Sequence, residues 1–455
     1  MQSDQNLAAW VIAWGAIAAV VVLRHWRRGR SVGLLLTYVL CFAALHWLVP
    51  LLQLLPWFPT PRGDLTPAGL YQSTFAIAGF ALGVELLHVI WSHRPVRSSA
   101  PSNPYEASKT IDVYLVVGLV LYGLSLAGVQ LQLLTALVST GSTLVAAAVG
   151  LKAWQAWKSG QYARVGMWLA STLLFPLATV VIQGFLGYGF VAALIVLSLI
   201  TTLAPTRPAT VLGGALMLYL GLSVYVTYMR DRTDIRELVW GGEAVERRMA
   251  QIDSTLRSAE LFDPWNVDHL GRIDRRLNQD HLIGAAVVYL ADGNVAYANG
   301  QTIIDAATAL IPRALWPDKP VIGGSGDLVS TYTGIRFMYG TSVGVGQVME
   351  LHINFASAGV FFGFVVLGML VALVDRQSVH HLDAGNIPAF VLWYVPGLSI
   401  LQIGGALAEV TATAGASAAV VVVASIVAKR YIATRPQLNP AVADRRFENR
   451  PEVVS

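Results

Sequence analysis

Eleven stretches of about 17 to 25 mostly apolar residues recur along the chain, each near the length that carries an α-helix across roughly 30 Å of hydrocarbon. They run over Leu7–Leu23, Val32–Leu55, Thr66–Trp91, Ile111–Gly128 and Leu131–Leu151, then Val165–Ile182, Phe185–Leu203, Ala209–Tyr228, Asn354–Leu373, Ile387–Leu401 and Val410–Val427. Lipid offers the backbone no hydrogen-bond partners, so each stretch is confined to a helix. The expected fold is an all-α polytopic membrane protein of about eleven transmembrane helices. Composition agrees: 13% of the 455 residues are charged, against about a quarter in soluble domains.

Charge sets the direction. Basic clusters occupy every second connection: Arg24, Arg27, Arg28 and Arg30, then Arg94 and Arg97, Lys152 and Lys158, Arg207, Arg376, and finally Lys429 and Arg430. The positive-inside rule places these on the cytoplasmic side, with the N-terminus outside, the C-terminus inside and an odd helix count. No Lys or Arg precedes the first apolar stretch, which argues against a cleaved signal peptide and for a retained helix. Cys41 is the sole cysteine, so no disulfide framework is expected.

The same registration divides the chain into helices 1–8 (residues 1–228), a large outer loop (Met229–Ile353), helices 9–11 (354–428) and a polar, disordered cytoplasmic tail (429–455). The loop is expected to be mostly helical. Val245, Met249, Ile252 and Leu256 recur at helical spacing, an amphipathic pattern suited to a membrane surface.

Most candidate chemistry lies in this loop. Arg272, Arg275 and Arg276 fall at i, i+3 and i+4, so a helix would set them on one face, opposite Ile273 and Leu277. Like charges so placed repel unless an anion joins them, and planar guanidinium suits phosphate oxygens. A solvated face near anionic headgroups is the plainer alternative. Arg230 and Arg232 leave the eighth helix, placed either to grip a diphosphate or to anchor the helix end. The stretch LIPRALWPDKP (Leu310–Pro320) joins three prolines, the Trp316 ring and the charges of Arg313, Asp318 and Lys319 at a rigid turn. Asp318 paired with Arg313 or Lys319 to pin the turn is its structural alternative.

The chain re-enters the membrane through TSVGVGQVMELHINF, where Gly344 and Gly346 permit close backbone approach and Glu350 and His352 stand above the ninth helix. Ionisable groups at this depth usually face a cavity, which makes Glu350 the best general-base candidate, with favourable placement at a helix N-terminus as its rival. Glu85 and His88, near the cytoplasmic end of the third helix, read better as a local pairing than as a proton relay. His46, Gln183 with Gly184, Gly187 and Gly189, Gln402 and Glu409 are candidates to line an outward-facing cavity. No Walker loop, HExxH, nucleophile elbow or paired-cysteine metal site occurs.

LIPRALWPDKP, followed some thirty residues later by GVGQVMELHINFASAGVFFGF, resembles the bacterial oligosaccharide repeat-unit polymerases, the O-antigen polymerase (Wzy-type) family. The matching positions are Arg313, Trp316, Pro317, Lys319 and Pro320, with Glu350 and Asn354. The sequence departs at Ala356, where the family has glycine, and at His352. A GT-C-like plan of about eleven helices with one large periplasmic loop before the last few is also similar.

The resemblance implies a metal- and nucleotide-independent membrane glycosyltransferase of the bacterial inner membrane. It would transfer a growing glycan from its undecaprenyl (polyprenyl) diphosphate carrier onto another carrier-linked repeat unit at the periplasmic face, building O-antigen or exopolysaccharide. Glu350, Arg313 and His352 would then be catalytic. Lys319, Arg272, Arg275, Arg276, Arg230, Arg232, Trp316 and Asp318 would bind substrate. Membrane lipids, a flippase and a chain-length regulator are the expected partners, nucleic acid is not, and no cofactor is expected. Alternatives are an O-antigen ligase or other lipid-linked-sugar transferase, a lipid-linked saccharide transporter or flippase, and a membrane scaffold.

Overall fold

The computed structural model describes residues 2–28, 31–60, 63–91, 104–126, 135–203, 207–311, 316, 318–319, 324–337 and 343–433. Among these every regular element is helical. In chain order the first ten are α1 (Gln2–Arg28), α2 (Leu34–His46), α3 (Leu48–Leu52), α4 (Thr66–Trp91), α5 (Pro104–Leu126), α6 (Thr135–Lys158), α7 (Tyr162–Ser171), α8 (Leu174–Gln183), α9 (Gly187–Leu203) and α10 (Arg207–Trp240). Then come α11 (Val245–Arg257), α12 (Val267–Leu277), α13 (Gln279–Ala291), α14 (Gln301–Ala309), α15 (Ser325–Thr333), α16 (Gln347–Asp383), α17 (Ile387–Leu398) and α18 (Leu407–Ala433). Six spans within the described residues are long and apolar enough to cross a membrane: α1, α4, α5, α7 with α8, α16 and α18. The apolar α2 and the α17 segment are shorter.

The bundle is built on glycine. A Cβ on Gly79 or Gly83 of α4 would run into the Phe361 or Val365 carbonyl of α16, and one on Gly368 would meet the Phe80 carbonyl in return. Where lipid supplies no hydrophobic drive between helices, small residues let backbones approach and dispersion contacts hold the pair. Around this seam Tyr38, Phe42, Phe80 and Phe364 are fully buried and stacked or tilted on one another.

Basic residues gather at one rim. Arg24 and Arg28 of α1 reach Glu85 of α4 at 3.3 and 2.6 Å, which gives Glu85 the local pairing expected of it. Arg376 donates to the Trp91 carbonyl, and the Asp375 carboxylate accepts from Ser31 Oγ and the Leu34 amide, capping α2. Lys152 at the end of α6 pairs with Asp112. Arg30, Arg94, Arg97 and residues 434–455 lie outside the described residues.

The described residues between 241 and 337 cover the opposite rim and are tied into it at many points. His46 meets Asp280 at 2.7 Å, His281 meets Asp64 at 3.0 Å, and Asn278 donates to Thr66. Trp57 donates to the Pro264 carbonyl and Thr411 to that of Ala306. Helix α13 enters the main core, where Ile283 and Ala286 are fully buried. Helix α11 is as amphipathic as its spacing predicts, but it buries only Ile252 of the four apolar positions. Val245, Met249 and Leu256 are left exposed.

Candidate functional site

The chain enters α16 through a glycine turn whose construction the sequence anticipates. Gly346, at φ +71°, donates its amide to the Gly404 carbonyl, and Gln347 donates to that of Ile403. A Cβ on Gly344 would strike the Gly404 carbonyl, so only glycine allows the contact. Tyr38 donates to the Gln347 side chain, which donates in turn to Ile400.

One turn later Glu350 is completely buried. Its Oε2 accepts from the Leu407 amide at 2.6 Å, so this carboxylate satisfies an otherwise orphaned donor at the start of α18. Its Oε1 has no hydrogen-bond partner. Thr302 stands beside it, with Asp305 and Glu409 in its field. Glu409 accepts from Ser325 Oγ and the Ala406 amide, binding α15 to the same helix start. His352 is buried with Nδ1 unpartnered and faces the Tyr297 ring at 6.4 Å.

Helix α16 breaks just beyond. Phe355 (φ −142°, ψ 26°) and Ala356 (φ +54°, ψ −152°) leave helical geometry. The freed Ile353 carbonyl accepts from the Ala298 amide, while Asn354 accepts from the Gly300 amide and donates to Thr302 Oγ1 and the Glu350 carbonyl. The break is thus a socket for the entry into α14, and Asn354 is its main fastener.

The arginines separate into two sets. Arg230 lies on α10, which continues to Trp240, and spends its guanidinium on Asp231, Glu260, Ser258 Oγ and the Ser258 carbonyl. Arg272 turns inward to Glu260 at 3.4 Å and to the Val226 carbonyl. Arg230 and His269 hold the Glu260 carboxyl down at about 2. These side chains fasten the segment to α10.

Arg275 and Arg276 are exposed on the next turn of α12, so the three arginines do not share one open face. Arg276 and Arg232 gather beside Tyr225 and Tyr228; burial and then the Arg232 charge push Arg276 below its ordinary value. The Tyr225 hydroxyl is buried with no partner. Of the proline-rich turn, Trp316 and Asp318 are exposed and Lys319 Nζ donates to the Ile311 carbonyl. Arg313, Pro312, Pro317 and Pro320 lie outside the described residues.

Gln183 and its glycine turn sit against α10, where the Gly184 carbonyl accepts from Tyr228 and Arg236. Gln402 and Glu409 sit at the start of α18, so these candidates belong to two different sets of contacts.

Two groups escaped sequence reading. Asp280 orients the Nδ1 side of His46 while His46 Nε2 and Asp280 Oδ2 have no partner, and burial raises the Asp280 carboxyl. Asp64 is the second, paired with His281, whose own value this hydrogen bond raises. The pattern Asn278-Gln279-Asp280-His281, an N-cap followed by first-turn acid, was the available signal. Among the described residues no group of three or more His, Cys, Asp or Glu side chains could hold a metal ion.

The fold defines an α-helical membrane protein with a helical segment seated on one rim of its bundle. Comparison with family models, curated proteins and solved structures found no match.

Proposed function

We propose that the chain is a glycosyltransferase that extends a polyprenyl diphosphate-linked glycan by one repeat unit at a time, at the rim covered by residues 241–337. The carrying observation is that Arg276 of this segment, beside Arg232 of α10, and Glu350 at the start of α16, a buried carboxylate whose Oε1 has no partner, stand at the covered rim. With the basic rim read as cytoplasmic, the covered rim faces the periplasm of the inner membrane, and the N- and C-termini fall outside and inside.

The chemistry asks for two things. The attacking sugar hydroxyl must lose a proton, and the departing diphosphate gains charge as the glycosidic bond breaks. Glu350 takes the proton through Oε1. Its Oε2 stays on the Leu407 amide, so the group is oriented before substrate arrives.

Arg232, Arg275 and Arg276 meet the diphosphate, together with Arg313 and Lys319 of the proline-rich turn. Two cations already held close gain most from an anion, because it removes their repulsion as well as adding attraction. Arg230 and Arg272 serve by holding the segment, and His352 by packing against Tyr297. The turn at the α16 break, fastened by Asn354, is the element that must open for Glu350 to meet a sugar.

Purified protein in liposomes, given a carrier-linked repeat unit, is expected to yield a ladder of products. A single product on an added lipid A core or protein acceptor would make it a ligase. Movement of labelled carrier lipid without glycan growth would make it a flippase. Either result would overturn the proposal.

A further inference from the structure

The basic rim carries a cavity of about 620 Å³ where α6 ends, α7 begins, α5 begins and α16 turns into α17. Among the described residues three cations line it, Lys152, Lys158 and Arg164, and no carboxylate does. Lys152 is already engaged by Asp112. Lys158 lies 4.3 Å over the Trp154 ring, and Arg164 is exposed and donates to the Gln161 side-chain oxygen at 2.7 Å. Ser108, Ser159 and Gln155 add neutral hydrogen-bonding groups. Such a lining is unbalanced by two positive charges and has donors enough for a phosphate.

Its depth is marked by aromatics. Trp157 and Tyr162 meet edge to face at 5.6 Å and are both exposed, as ring side chains at the headgroup level are. Further along the same segment Met167, Leu173 and Leu174 are exposed one after another. A molecule in the cavity would therefore have cations at one end and an apolar track leading from it along α7 into the hydrocarbon. Free phosphate matches only the first half of that surface.

We propose that this cavity binds the headgroup of an anionic membrane phospholipid, its phosphate between Lys158 and Arg164 and an acyl chain along Met167 and Leu174. A basic pocket between helices at the cytoplasmic surface is the arrangement that selects anionic over zwitterionic lipid. The site is independent of the transferase reading, since it lies on the other rim.

The test uses the full chain in neutral detergent, titrated with phosphatidylglycerol or phosphatidylcholine and read by native mass spectrometry. Phosphatidylglycerol is expected to bind at least about tenfold more tightly. The double variant Lys158→Gln/Arg164→Gln should lose about 25-fold in that affinity, about fivefold for each cation near the surface. Lys158→Arg/Arg164→Lys should stay within about twofold of the parent.

Glycerol 3-phosphate and inorganic phosphate at millimolar concentration should leave the lipid bound. Equal affinity for the two lipids, or unchanged phosphatidylglycerol binding in the double variant, refutes the site. Displacement of the lipid by either small phosphate refutes the lipid as its occupant. If the double variant does not fold, each single variant is read against its own fivefold expectation.

Discussion

Replacing Ala356 by glycine is expected to make the protein more stable, which is the reverse of what the same change does in a helix. Ala356 sits at φ +54°, ψ −152°, a region that L side chains enter at a cost of about 1–3 kcal/mol. Glycine relieves that strain. Against this stand about 0.4–1 kcal/mol for the greater freedom of the unfolded chain and roughly 0.4 kcal/mol for a half-buried methyl, half the value of a buried carbon. The balance is stabilising, near 1 kcal/mol, or roughly 1–2 °C in melting temperature for a chain of this size. Were α16 continuous through Ala356, glycine would instead cost about 1 kcal/mol. Thermal melting of purified Ala356→Gly in detergent decides by sign alone: a lowered midpoint would refute the break, and with it the docking of Ala298 and Gly300 into α16.

Other expectations concern the covering segment. Glu260 is held near 2 by Arg230 and His269, so its contribution is present above 4.5, its ordinary value, and fades as pH falls toward 2. Limited proteolysis between residues 241 and 277 should accelerate over that window, and Glu260→Gln should be cleaved at the same rate across it; a variant that keeps the parental acceleration would refute the role. A Cβ on Gly284 would strike the Leu65 carbonyl, so Gly284→Ala should lower stability by about 1–3 kcal/mol. Gly166→Ala, in helix α7 with nothing near its Cβ, should be neutral or stabilising by up to about 1 kcal/mol. Equal melting shifts for these two variants would contradict the close approach of α13 to the start of α4.

The parts of this molecule that were legible in the sequence are those set by one residue's neighbours along the chain. Apolar run length marks the helices long enough to cross a membrane, six of the eleven expected stretches among the described residues, and Gly344 and Gly346 announce a close approach that the Gly404 carbonyl then makes. Pairings across long separations were not legible. Arg272 looks like one member of an arginine face until Glu260 folds back beside it, and Arg230 looks like a diphosphate grip or helix anchor until Ser258 and Glu260 arrive. His46 and Asp280 are 234 positions apart and meet only because α13 packs under glycine contacts on α4. The Gly79–Gly83 spacing on α4 was a visible signal for its seam with α16, but the partner carbonyls on α16 have no sequence signature.

Ala356 illustrates the reverse case. Its mismatch with the resembled family's glycine reads in sequence as a weak point of the resemblance, whereas the backbone there adopts the conformation that glycine favours. Helix propensity would extend α16 smoothly through this alanine. The tertiary bonds of Asn354 and the Ile353 carbonyl impose the break instead.

The transferase reading rests most heavily on Glu350, which is also a cap for α18, and these two roles respond differently to glutamine. Glu350→Gln keeps an oxygen to accept from the Leu407 amide but cannot take up a proton, so the protein should melt within a few degrees of the parent while losing a base worth about 100-fold or more in rate. Product ladders from a carrier-linked repeat unit, measured with Glu350→Gln reconstituted at equal amount, should collapse to unreacted substrate over the time the parent builds long chains. A folded variant that extends chains at the parental rate would contradict the account.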